Sequence, residues 1–141
     1  MSAAPRVLLV DDHPMSVDLV SFLLDADGIE HEVATDADQA LARLDRFRPD
    51  LILMDIQLPG MDGLELTRRL KADPATRTIV IVAFTAYAMK GDEARMREAG
   101  CDGYVSKPID VATFAAQVRA YAAQGITPPG SQRIGGAAAA G

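Results

Sequence analysis

Polar residues stand directly after four short apolar runs in this 141-residue chain. Asp11 and Asp12 follow "RVLLV", Asp55 follows "LILM", Thr85 follows "IVIVAF", and Lys107 comes two residues after "GYV". Taken singly, each has an ordinary explanation. An aspartate after a strand is a common turn or N-cap residue, a threonine before a helical segment caps it, and a lysine before a proline sits in a loop. If the runs are parallel strands of one sheet, however, three carboxylates, a hydroxyl and an ammonium converge on one end of it. Three carboxylates packed together repel, which raises the pKa of at least one. A divalent cation removes that conflict, and hard oxygen donors of this kind suit Mg²⁺. With Asp11, Asp12 and Asp55 around the metal, a phosphoryl group can approach Asp55. Its three oxygens would face the metal, Lys107 and Thr85, and Asp55 would be the nucleophile.

The elements that must place these residues are legible as alternating patterns. The apolar runs 6–10, 30–34, 51–54, 79–83 and 103–105 are short and rich in β-branched residues, which suits strands buried on both faces. Helical stripes lie between them. Val17, Val20 and Leu24 form the first, stopped by Gly28. Ala37, Ala40, Leu41, Leu44 and Phe47 form the second, with Thr35 as N-cap and Pro49 beyond it. Asp62 and Glu65 open the third as a capping box, ahead of Leu66 and Leu70. Met89, Met96 and Ala99 mark the fourth, with Glu93 and Arg97 paired on another face and Gly100 at its end. The fifth starts at Asp110 and is expected to bury Val111, Phe114, Val118 and Tyr121. Five β–α units in alternation predict an α/β fold, a doubly wound sheet. In such a sheet ligands bind at the carboxyl ends of the strands, where the polar residues collect.

Composition narrows the function classes. The net charge of −6 argues against a nucleic-acid surface. No apolar run approaches the ~18 residues of a membrane span. The start, "MSAAPRVLLVDDH", meets two aspartates too early for a signal peptide. A single cysteine, Cys101, cannot form an internal disulfide and reads as a small core residue, so a cytoplasmic setting is expected. His13 and His31 share no metal-binding spacing. Residues 1–124 are expected to form one domain. Residues 125–141, with five glycines and two prolines, are expected to be a disordered Gly/Pro/Ala-rich tail or a non-native remnant.

The same residues carry a family resemblance. "LLVDDH", "LILMDIQLPGMDGLEL", "VAFTAYAMKGD" and "GCDGYVSKPID" resemble the receiver domain of bacterial two-component response regulators, over residues 5–124. The stretch "FTAYAMKGDEARMREAGCDGYVSKPI" is similar to stand-alone receivers and to those attached to hybrid histidine kinases. The resemblance implies a flavodoxin-like fold with five parallel strands in the order 2-1-3-4-5 and five flanking helices. It implies that Asp55 is the phosphoacceptor, Asp12 a direct Mg²⁺ ligand, Asp11 a ligand through water, and the Gln57 backbone carbonyl a further one. Thr85 and Lys107 would hold the phosphoryl group, and Tyr104 would change rotamer with Thr85 as the switch. A cis Lys107–Pro108 bond is also implied. His13-Pro14 departs from the polar residues usual after the acidic pair.

Implied partners are a histidine kinase or histidine phosphotransfer protein and a downstream target bound through helix 4, strand 5 and helix 5. Neither nucleic acid nor membrane is expected, and a phosphorylation-linked homodimer stays open. The leading reading is a phosphorelay receiver that is a phosphoacceptor, not an enzyme acting on a separate substrate. An aspartyl phosphohydrolase usually has a second aspartate two residues on, where this chain has Gln57. A flavin or nucleotide binder needs a Gly- or hydroxyl-rich loop after the first strand, and "DDHPMS" offers carboxylates instead. A docking module that ignores phosphorylation needs none of these residues.

Overall fold

The structure is a computed structural model that describes residues 5–56, 58, 62–85, 90–106, 109–123 and 132–133. The elements alternate: β1 (Arg6–Val10), α1 (Pro14–Ala26), β2 (Glu30–Ala34), α2 (Ala37–Leu44), β3 (Leu51–Asp55), α3 (Gly63–Ala72), β4 (Val80–Thr85), α4 (Lys90–Ala99), β5 (Gly103–Ser106) and α5 (Phe114–Ala122). The five strands pair in parallel in the order β2-β1-β3-β4-β5. This is the flavodoxin-like arrangement expected above. A two-residue strand, β6 (Gln132–Arg133), adds antiparallel to the outer edge of β5, opposite Tyr104 and Gly103.

The sheet divides the core in two because successive side chains point to opposite faces. Leu8, Val10, Ile52, Met54, Ile81 and Ala83 face α2, α3 and α4, meeting Leu44, Leu66, Leu70 and Met96. Val7, Leu9, Leu51, Leu53, Val82 and Phe84 face α1 and α5, meeting Val20, Leu24, Phe114, Val118 and Tyr121. The central strands β1, β3 and β4 are therefore apolar on both sides, as their unbroken runs require.

Two helices end in the same way. Gly28 (φ 71°) and Gly100 (φ 107°) take the left-handed conformation after α1 and α4. Behind them, Ile29 N–H bonds Leu24 O at 2.9 Å and Cys101 N–H bonds Met96 O at 3.0 Å. Each pair also buries its side chains together, which completes a Schellman stop.

Several local expectations need correction. The N-cap of α2 is Asp36, whose carboxylate accepts from Gln39 N–H at 2.7 Å, while Gln39 Oε1 accepts from Thr35 N–H at 2.9 Å. The cap thus sits one residue later than Thr35, because the carboxylate is the better acceptor. Leu41 lies at the exposed margin of the α2 stripe. Asp62 caps α3 through Leu64 N–H at 2.8 Å, but Glu65 pairs with Arg68 and Arg69 at 3.5 and 3.9 Å and does not close a capping box. Asp110 makes a turn, with Oδ1 accepting from Ala112 N–H, so α5 begins only at Phe114 and Val111 is 57% exposed. Met89 and the Glu93 side chain lie outside the described residues.

Candidate functional site

The chain passes from β1 to β2 on one side and returns to β3 on the other, so a topological switch lies between β1 and β3. Their register pairs Val10 with Met54, which puts Asp11 level with Asp55 across the gap. Asp11 is fully buried and its N–H bonds Ala34 O at 3.0 Å, which ties it to the end of β2. Its Oδ1 accepts from His13 N–H at 2.9 Å, a tight turn that swings the chain into α1. Asp12 is more open, with about a third of its side chain exposed. Asp55 ends β3 and is 3% exposed. It is the last residue of its strand, not the first of the loop.

A histidine joins the three carboxylates. His13 Nδ1 lies 3.1 Å from Asp11 Oδ1, 3.4 Å from Asp12 Oδ1 and 3.3 Å from Asp55 Oδ2. Donor atoms of Asp11, Asp12, His13 and Asp55 all fall within 4.8 Å of one another. Among the described residues no second cluster of this kind occurs. The sequence reading missed His13 because it looked for spacing between the two histidines. The available signal was its place beside an acidic pair.

Gly63 is a second residue the site depends on. A Cβ there would lie 2.1 Å from the Asp55 carbonyl oxygen and 2.8 Å from Ile56 Cα. The first residue of α3 thus packs directly on the backbone at the end of β3, and Gly63 N–H bonds Ile56 O at 3.2 Å. In the sequence it appeared only as a loop glycine after Asp62.

Thr85 ends β4, buried, one residue beyond Phe84, which pairs with Asp55. Tyr104, in β5 opposite Ala83, is half-buried. Gln57, Lys107 and the Lys107–Pro108 bond lie outside the described residues. Cys101 is buried against Thr67 on the α3–α4 side, away from the cluster. Burial pushes its thiol up to about 12, so it is a core residue, as expected.

The three carboxylates form an oxygen donor set at the mouth of the sheet, partly open at Asp12 and closed behind by Asp11. Such a set fits a hard divalent cation that retains several waters. The family model for the response regulator receiver domain matches residues 7–119. The chain belongs to the response regulator receiver domain family. The receiver is 45% identical over 115 residues to the polar-differentiation response regulator DivK of Brucella anthropi, covering 82% of this chain and 94% of that one. It is 44% identical to DivK of Brucella abortus over the same shares. Among solved structures it is similar to the receiver domain of a sensor histidine kinase from Pseudomonas aeruginosa. That domain is described with a magnesium ion coordinated in its active-site cleft (TM-score 0.78, 32% identity, 86% of this chain and 100% of that one). The chemotaxis response regulator CheY4 of Vibrio cholerae matches with a TM-score of 0.77 at 27% identity, over 82% and 97% of the two chains. The receiver is accordingly a two-component signalling domain. No helix among its described residues is long and apolar enough to cross a membrane.

Proposed function

We propose that this receiver accepts a phosphoryl group from a phosphohistidine onto Asp55, with Mg²⁺ held by Asp11, Asp12 and Asp55, and reports the event by changing what its surface binds. The carrying observation is the gathering of Asp11, Asp12 and Asp55 at the β1–β3 switch. Bound Mg²⁺ would offset the repulsion between these carboxylates and an incoming phosphoryl dianion. An Asp55 carboxylate oxygen attacks phosphorus, the P–N bond of the donor breaks, and the departing imidazole nitrogen keeps the electron pair and takes a proton from solvent. Asp55 is buried at the carboxyl end of β3, and approach from that end favours in-line transfer from a docked donor. Thr85 and Lys107 would take phosphoryl oxygens, and the Gln57 carbonyl would be a further protein ligand to the metal. The receiver thus catalyses its own modification, and water slowly reverses it. Thr85 acts as the sensor and Tyr104, one strand over, as the side chain that responds.

The donor is a histidine kinase or histidine phosphotransfer protein. Support for its docking face comes from α1, which starts at Pro14, immediately after the acidic cluster. Met15, Leu19 and Phe22 recur on it at helical spacing and are exposed, Met15 by 86% and Phe22 by 68%. The target reads the α4–β5–α5 face, and both exchanges take place in the cytoplasm. Incubation with acetyl phosphate and Mg²⁺, followed by intact-mass measurement, tests the proposal. One phosphoryl group should add, and chelation or Asp55→Asn should abolish it. A normal mass shift in Asp55→Asn would remove Asp55 from its role.

A further inference from the structure

The position of His13 carries a further consequence for the same site, and it rests on the reading of that site as a cation centre. His13 is the N-cap residue of α1, yet its side chain makes no capping bond to the helix. Its ring turns instead toward the carboxylates, with Nδ1 at 3.1, 3.4 and 3.3 Å from one oxygen of each aspartate. Metal–ligand bonds of about 2.0–2.1 Å put neighbouring donor atoms of one coordination shell roughly 3.0–3.4 Å apart. These distances are those of a hydrogen bond to Asp11 Oδ1 and ion pairs to Asp12 and Asp55, and they are also the spacing that a fourth ligand keeps from three others around a shared ion.

An imidazole nitrogen changes what such a site prefers. Mg²⁺ takes oxygen donors and water, whereas Co²⁺, Ni²⁺ and Zn²⁺ gain strongly from a nitrogen donor. We infer that His13 makes this centre a four-donor site for first-row transition cations, with Asp11, Asp12 and Asp55 shared between those ions and Mg²⁺. The two classes then compete for the same carboxylates, and only the transition ion uses the imidazole. Exposure of 57% of the His13 side chain lets the ring leave without disturbing the core when Mg²⁺ is the occupant.

The test is a Co²⁺ titration of the full chain, followed by visible absorption and by the histidine ring resonances, with Mg²⁺ as competitor. Parent protein, His13→Asn, His13→Ala and a His31→Asn control are compared, since His31 Nδ1 also lies near a carboxylate, 3.6 Å from Asp25. Both His13 variants should lose at least about tenfold in Co²⁺ affinity, as loss of a direct ligand should cost no less than loss of a supporting one. Their Mg²⁺ affinity should not fall, and His31→Asn should bind both ions as the parent does. Equal losses for the two ions would overturn the assignment. So would a Co²⁺ affinity unchanged or raised in the His13 variants, which would make the ring a competitor for the cation position. Asp12→Asn separates this from the underlying reading. It should weaken both ions, and undiminished binding of both would dismiss the cation centre itself. The mass shift at Asp55 is scored independently of either result.

Discussion

At the residue scale, the site is set by close approach as much as by charge. The proposed role of Asp55 requires the β3 backbone to stay where Gly63 allows it to be. Any side chain at residue 63 meets the Asp55 carbonyl at 2.1 Å, so β3 or α3 must give way. Gly63→Ala is expected to cost about 1–3 kcal/mol, the usual penalty of overpacking. It should also slow phosphorylation of Asp55 by acetyl phosphate. Gly28→Ala is the matched control, because nothing lies within 4 Å of the Cβ built at that position. There the left-handed backbone alone is penalised, by roughly 1–2 kcal/mol, and the phosphorylation rate should hold. Denaturant midpoints and mass kinetics on the two variants check this. Equal rates in both would show that Gly63 serves stability alone.

At the element scale, α1 and α5 share one face of the sheet and divide its tasks. The buried side of α1 is ordinary core, but its exposed apolar stripe makes no use of the fold. Phe22→Ala should leave stability within about 0.5 kcal/mol, as surface substitutions do. Transfer from a phosphohistidine donor should fall about tenfold, equivalent to ~1.4 kcal/mol. The rate with acetyl phosphate should stay at the parent value, since that donor needs no docking. A parallel loss with both donors would move the stripe's role from docking into the site. The helix α5 is seated differently, by Tyr121 lying over Gly103. A Cβ at Gly103 would come within 2.3 Å of the Tyr121 ring. Gly103→Ala should therefore lift α5 from β5 at a cost of about 1–3 kcal/mol. Combined with Tyr121→Leu, the two losses should sum to less than their separate values, because the second change vacates the space the first one needs. Urea unfolding of the four species measures that coupling.

At the scale of the whole molecule, both halves of the core must be assembled before any of this geometry exists. Cys101 offers a probe of that assembly. Burial raises its thiol from 9.0 to about 12, against a smaller lowering by the Thr67 hydrogen bond. The folded state thus keeps a proton that the unfolded chain gives up. Its contribution is complete below pH 9.0 and is lost as pH climbs toward about 12. Stability should decline over that window by up to ~1.4 kcal/mol per pH unit from this group. Cys101→Ala should show a shallower alkaline decline, read from urea midpoints across the range. An identical slope would mean that the thiol does not titrate differently in the two states.

The sequence by itself determined the strands, the stops and which polar residues stand at the strand ends. Unbroken apolar runs such as "LILM" have one economical use, a strand covered on both faces, and glycines at 28 and 100 can end helices wherever they stand. These are local properties, written in a few neighbouring residues. Single-residue boundaries were harder, because the start of a helix depends on which of several acceptors wins. Asp36 displaced Thr35, and the turn at Asp110 left Val111 outside α5. Gln57 and Lys107 rest on the sequence and its resemblance alone. What only the tertiary structure decided is contact between residues far apart in the chain. No period or motif states that residue 63 presses on the Asp55 carbonyl. Nor does any spacing reveal that the His13 ring meets a carboxylate from another strand. Both follow from the placing of β3 beside β1 in a particular register, and register is fixed by the packing of two whole core faces at once.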